Sequence, residues 1–243
     1  MSNTKRWAAA LSATLMLATP ATANAVVHPG AGYQVERGKY VGQCSIAHVY
    51  EVDGQVYGLT AGHCAKRVGE EVVMEDAPHE RGVFVTATDP IGQSERTSTT
   101  ADLDDWAVIQ FAPGTAASTV AQSTFRPQTG IEPLDTFIDR NPLPLRSFPR
   151  QLTGQIRDLE ANPIRQGEIL FKQGRTTGWT PVFARSQSVN DVIAVGWVQP
   201  GDSGGVLYDM AGNTVGITSR VADGETRDSM VTAWQRADVA LAG

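Results

Sequence analysis

The chain is most telling where it is poor. It has four histidines, His28, His48, His63 and His79, and none follows residue 79. Beyond its N-terminal stretch it has no apolar run long enough to span a bilayer. Basic residues are outnumbered, 20 against 26 acids, for a net charge of −6. It has only two cysteines, Cys44 and Cys64. Each shortage excludes something. An acidic surface argues against nucleic acid as a partner. The lack of a later apolar segment excludes a membrane span once the N-terminus is removed. His48 lies in a strand-like run and His79 in an Asp-Ala-Pro-His loop, neither at ligand spacing, so no metal and no cofactor is expected. Two cysteines allow one disulfide at most.

What is present centres on Gly201-Asp202-Ser203-Gly204-Gly205. Gly201-x-Ser203-x-Gly205 also fits the nucleophile elbow of α/β-hydrolases, but that fold needs its histidine after the serine, and here every histidine precedes it. Instead Thr60-Ala61-Gly62-His63-Cys64 comes early and Asp104-Asp105-Trp106-Ala107-Val108-Ile109 lies between. The order His, Asp, Ser is that of another nucleophilic-serine architecture. A serine hydroxyl is a poor nucleophile until a base takes its proton, and a histidine suits that task near neutral pH. An acid on the far imidazole nitrogen fixes the tautomer and stabilises the imidazolium. By order, Ser203 is the nucleophile, His63 the base and then acid, and Asp105 the orienter. Asp102 and Asp104 are near, but Asp105 directly precedes the apolar run Trp106 to Phe111 and so sits at a buried edge. The N–H groups of Gly201 and Ser203 are the expected oxyanion donors, since glycine leaves its N–H unobstructed. Asp202, beside the nucleophile, would be buried and needs a partner. That partner is either a freed N-terminal ammonium or an internal cation.

Met1 to Ala25 reads as a secretory signal: Lys5 and Arg6, an apolar Ala8 to Ala18, and Ala23-Asn24-Ala25 at the cleavage site, with Ala21-Thr22-Ala23 as a competitor. Cleavage after Ala25 removes two positive charges and no acid, leaving 18 basic against 26 acidic residues and a net charge of −8. In an exported protein Cys44 and Cys64 should pair, which stabilises by about 3 kcal/mol in the chain-entropy model and pins the strand at Cys44 beside the turn carrying His63.

Strand-like runs flank a Pro-rich middle. Ser45 to Val52 and Gln55 to Thr60 read as a hairpin about Asp53-Gly54. Glu71–Met74, Val83–Thr86 and Trp106–Phe111 continue a first lobe. From Ala112 to Pro149 the chain reads as a loop-like linker. Glu168–Lys172, Thr180–Phe183, Val192–Val195, Gly205–Tyr208 and Thr214–Thr218 form a second set, and Ala233 to Leu241 reads as a short helix. An all-β chain of two lobes, with catalytic groups split between them, suggests two packed barrels and a cleft at their junction.

Together Cys44, Thr60-Ala61-Gly62-His63-Cys64, Asp105 and Gly201 to Gly205 resemble the chymotrypsin family of serine proteases. Gly42-Gln43-Cys44-Ser45, Gly174-Arg175-Thr176-Thr177-Gly178, Pro200 and Val215-Gly216-Ile217-Thr218-Ser219 resemble its bacterial branch, that of the streptogrisins and α-lytic protease. The resemblance runs from about Gly38 to the C-terminus, weakest from about Ala112 to Gln166. It implies two packed antiparallel six-stranded β-barrels with a short C-terminal helix, and peptide-bond hydrolysis through an acyl-enzyme. It divides the chain into a signal (1–25), a short N-terminal or pro segment (26–37), a lobe with His63 and Asp105 (38–130) and a lobe with Ser203 (131–243). It assigns Lys172 as the cation for Asp202, with the ammonium of Val26 or Val27 as rival. It walls the specificity pocket with Trp197, Pro200, Ser219 and Val221, Trp197 near its floor, and so implies cleavage after small or medium apolar residues, subject to Arg220, Asp223 and Glu225. The expected partners are polypeptide substrates and, as a further class, a protein inhibitor. The expected state is a monomer, secreted by a bacterium, either free or held at the cell surface. A non-catalytic binding protein on the same scaffold is the competing reading.

Overall fold

The structure is a computed structural model that describes residues 25–38, 40–88, 104–123, 131–140, 149–221 and 231–241. The signal segment before Ala25, Asp102, Asp223, Glu225 and the side chain of Val221 lie outside the described residues.

Alternating apolar residues and tight turns build the first lobe. β1 (Val26–Val27) precedes β2 (Gly32–Arg37), which pairs with β3 (Tyr40–Ser45). β4 (His48–Val52) and β5 (Gln55–Thr60) meet at Asp53-Gly54, whose φ values of 51° and 76° suit a hairpin turn that follows the strand twist. With β6 (Glu71–Met74), β7 (Arg81–Ala87) and β8 (Ala107–Phe111) they form a seven-stranded sheet of order β3-β2-β6-β7-β8-β5-β4. The two edge strands, β3 and β4, are halves of one chain stretch broken only at Ile46 and Ala47, so the sheet must curl until its edges meet. At the break the pairing passes across: Ile46 N–H donates to Ala31 and Ala47 N–H to Leu59. The expected six-stranded barrel is therefore a curled sheet in which one of the extended segments is bent in two. Tyr33, Ile46, Leu59, Val72, Phe84 and Ile109 fill its interior.

Residues 26–37, expected as a short N-terminal or pro segment, pack within the first lobe, where alternation in β2 drives Tyr33 and Val35 into the core. The middle is not simply a loop. β9 (Ala116–Ala117) runs parallel to β1, β10 (Val120–Ala121) pairs with β11 (Arg150–Gln151), and α1 (Glu132–Arg140) is a helix. Glu132 and Asp135 in its first turn complement the helix dipole, and Pro133 sits where a missing N–H costs little.

The second lobe is a closed barrel. Its strands are β12 (Ile169–Gly174), β13 (Gly178–Gln187), β14 (Asp191–Val195), β15 (Val206–Tyr208), β16 (Thr214–Val221) and β17 (Val231–Arg236), in the order β12-β13-β14-β17-β16-β15. Only Ala237–Ala240 form the C-terminal helix, α2. Ala233 to Arg236, expected as helix, belong to β17. That strand pairs with β14 on one side and β16 on the other, and satisfying both rows of backbone groups outweighs the helix propensity of alanine. Among the described residues no helix is long and apolar enough to cross a membrane.

Candidate active site

Pairing of β5 with β8, with Thr60 opposite Ala107, brings the ends of two strands together. Past the end of β5 the chain turns through a single 3₁₀ turn, Gly62–Cys64, and presents His63. Just before β8 stands Asp105, fully buried. Its Oδ1 accepts the backbone N–H of His63 at 2.8 Å, and its Oδ2 lies 3.0 Å from His63 Nδ1. Cys44 and Cys64 are disulfide-bonded, with Cα atoms 6.4 Å apart, which ties β3 to this turn. Asp104 is exposed and takes a hydrogen bond from Asn190 at 3.0 Å.

The second lobe reaches across to Asp105. Gln235 of β17 accepts its backbone N–H at 2.8 Å, and Ser219 of β16 donates its hydroxyl to Oδ2 at 2.5 Å. Burial alone would raise the Asp105 pKa. The charge of His63 and the hydrogen bonds from His63 and Ser219 outweigh it and hold the carboxyl at about 2. The carboxylate is thus ionised at neutral pH and oriented from both lobes.

Ser203 sits on the turn before β15. Gly204, at φ 81°, packs so closely on Thr60 that a Cβ would strike the threonine hydroxyl and the Ser45 carbonyl. Ser45 N–H donates to the Ser203 carbonyl at 2.7 Å. These contacts seat the serine turn against the strand end that carries His63. Within the turn the amides divide into two sets. Asp202, Gly204 and Gly205 donate to Gln199, Thr218 and Asp202. The N–H groups of Gly201 and Ser203 have no acceptor among the described residues. The orientation of the first is set by its neighbours. Thr176 donates its hydroxyl to the Pro200 carbonyl at 2.7 Å. In a trans peptide the N–H points opposite to the C=O, so the Gly201 N–H faces away from Thr176. Gly201, at φ 97°, leaves no room for a Cβ beside that threonine. Ser45 Oγ donates to the Gly201 carbonyl at 2.8 Å and accepts the Arg175 N–H at 2.8 Å. Arg175 in turn grips Glu75 of the first lobe at 2.8 Å.

Asp202 and Lys172 are both fully buried, with Lys172 Nζ 3.0 Å from Asp202 Oδ2. Oδ1 also accepts the N–H groups of Thr176 and Thr177 at 2.8 and 2.9 Å. Oδ2 accepts the Thr177 hydroxyl at 2.6 Å and the Gln199 N–H at 3.0 Å. Lys172 also donates to the Thr177 hydroxyl. Burial pulls the lysine pKa below its ordinary value, and Asp202 opposes that shift. Val26 and Val27, the rival source of a cation, are held in a ladder to Ala116 and Ala117.

Trp197 is 42% exposed, and its carbonyl lies 3.4 Å from the Thr177 hydroxyl. Pro200 is exposed, and Ser219 is turned to Asp105. Sequence reasoning gave no role to Ser45 and Thr176, which it met only within motifs, and missed Asp191 and Gln235. The signal for the last two was a polar residue where a barrel strand should be apolar.

Solved structures share this arrangement of two lobes. A Nocardiopsis protease is 20% identical over 90% of this chain and 96% of its own, with a TM-score of 0.60. Thermobifida fusca protease A is 19% identical over 90% and 95%, with a TM-score of 0.59. Cellulomonas bogoriensis chymotrypsin is 21% identical over 89% and 94%, with a TM-score of 0.55. The likeness is one of fold, and the chain has the chymotrypsin-like fold. No family model and no curated protein matches the sequence.

Proposed function

We propose that the chain is a serine endopeptidase that cleaves polypeptides through an acyl-enzyme on Ser203. The observation that carries this reading is the meeting of a buried Asp105–His63 pair with a serine turn in which only the Gly201 and Ser203 amides are left without acceptors. Asp105 accepts a hydrogen bond from His63 Nδ1–H, which keeps that proton on Nδ1 and leaves Nε2 as the base. Ser203 Oγ attacks the scissile carbonyl carbon and its proton passes to Nε2. The oxyanion then forms against the two free amides, which are preorganised and need no rearrangement. His63 returns the proton to the leaving amine, and water repeats the sequence on the acyl-enzyme.

The Lys172–Asp202 pair holds the turn without a freed N-terminal ammonium, so a cut before Val26 or Val27 is not the switch that assembles the site. The charged start, apolar core and small-residue cleavage site before Val26 support export, free or to the cell surface. Trp197, Pro200, Ser219 and Val221 shape the pocket for small or medium apolar side chains, and the enzyme acts as a monomer open to protein inhibitors. The solved proteases of like fold support the reaction class.

A serine-directed fluorophosphonate should label the folded chain stoichiometrically and Ser203→Ala not at all. Absence of labelling on folded wild type would leave a non-catalytic binding protein instead. Cleavage profiling on a peptide library tests the pocket, and a preference for Lys or Arg before the cut would overturn the apolar assignment.

A further inference from the structure

Arg220, which follows Ser219, reaches a place that a charged residue on a barrel strand rarely occupies. Its side chain is only 5% exposed, as is that of its partner Asp191. Arg220 Nη2 donates to Asp191 Oδ2 at 2.5 Å, and Nη1 lies 3.4 Å from Oδ1. The same Nη1 donates to Ser219 Oγ at 3.3 Å. Ser219 Oγ donates to Asp105 Oδ2, which faces His63 Nδ1.

We propose that Arg220 is a positioning residue for the Asp105–His63 pair and acts through the Ser219 hydroxyl. The inference rests on the catalytic reading given above. A hydroxyl has one proton. Because Arg220 fills an acceptor position on Ser219 Oγ, that proton is committed to Asp105, and the cation polarises the hydroxyl toward it.

Backbone geometry makes the chain of contacts possible. In a regular strand Ser219 and Arg220 would point to opposite faces. The register of β16 against β17 passes from Thr218–Trp234 to Arg220–Ala233, so Ser219 is an extra residue in a bulge. A bulge re-aims side chains, and here it lets two successive residues serve one relay. Asp191 completes the grip. It opens β14 opposite Gln235, whose side chain accepts the Asp105 amide. The same patch of the second barrel therefore holds Asp105 by backbone and by carboxylate.

The test is a cycle of three variants on the full chain: Ser219→Ala, the charge-free replacement Arg220→Met with Asp191→Leu, and all three changes together. Replacing both charges avoids leaving one buried and alone. Each of the first two should lower kcat by about tenfold, the rate equivalent of one charge-assisted hydrogen bond, with KM little changed. The combined variant should lose no more than Ser219→Ala alone. A second readout needs no turnover: the low-field proton resonance of His63 Nδ1 should shift in both Ser219→Ala and the replaced pair. Unchanged kcat and an unmoved proton in a folded replaced pair would overturn the proposal, as would losses that multiply in the combined variant. If the replaced pair does not fold, Arg220→Lys takes its place. That variant should lose activity and shift the resonance in wild type but add nothing on Ser219→Ala, and an added loss there overturns the relay. Wild type that resists the fluorophosphonate indicts the catalytic reading, whereas the resonance still reports on Arg220.

Discussion

Two buried carboxylates flank the serine turn, and they are held in opposite ways. Asp105 faces a histidine and one hydroxyl, so among the described residues its only ionic partner is a group that gains and loses a proton. Asp202 faces a lysine, a hydroxyl and three backbone amides, a shell that does not change during a reaction. In the proposed reaction the first arrangement lets a carboxylate answer a transient imidazolium. The second fixes the backbone so that the Gly201 and Ser203 amides stay aimed. Burial is the same in both, and it is the partner that separates a responsive group from a structural one.

The largest test of this contrast removes the chemistry and leaves both shells. Ser203→Ala should cost about a million-fold in kcat with an unchanged unfolding transition. Asp105→Asn should cost about ten-thousand-fold by presenting the wrong tautomer, again with the fold kept. Lys172→Met should behave the other way. It strands the Asp202 charge in the interior and should lower stability by about 3 to 5 kcal/mol in denaturant titration, while Lys172→Met with Asp202→Asn recovers much of that. A Lys172→Met protein as stable as wild type would remove the distinction.

The smallest effect is in the acid range. The folded pKa of Asp105, about 2, lies below its ordinary 3.8, so the folded state prefers the ionised form. Its contribution, about 2 kcal/mol, is complete above about pH 4 and is lost as the pH falls toward 2. A separate loss should precede it. Burial against the second lobe lowers His48 from 6.5 to about 4, so folding favours its neutral form and stability falls as the pH drops between those values. Stability measured against pH should therefore fall in two stages, and His48→Phe should abolish the upper one alone.

Much of the fold was legible because its signals are local. The apolar run of β8 and the Asp53-Gly54 turn mark strands without reference to anything distant. The Ala233 to Arg236 stretch misled for the same reason in reverse: its alanines favour helix locally, and only pairing on both edges overrides them. The candidate site divides likewise. His63, Asp105 and Ser203 stand out through their immediate neighbours and their order. Ser219 and Gln235 do not, because their partner Asp105 lies 114 and 130 residues away in the chain.

By itself the sequence determined an all-β chain of two lobes, a histidine–aspartate–serine order and an aspartate beside the serine that needed a cation. Only the tertiary structure decided what surrounds each carboxylate. The bend at Ile46 and Ala47 curls the first sheet, closure of the second barrel sets β14, β16 and β17 against Asp105, and the bulge at Ser219 turns Arg220 inward. Such partners are chosen by strand register and barrel closure, and neither is written in the neighbourhood of any one residue.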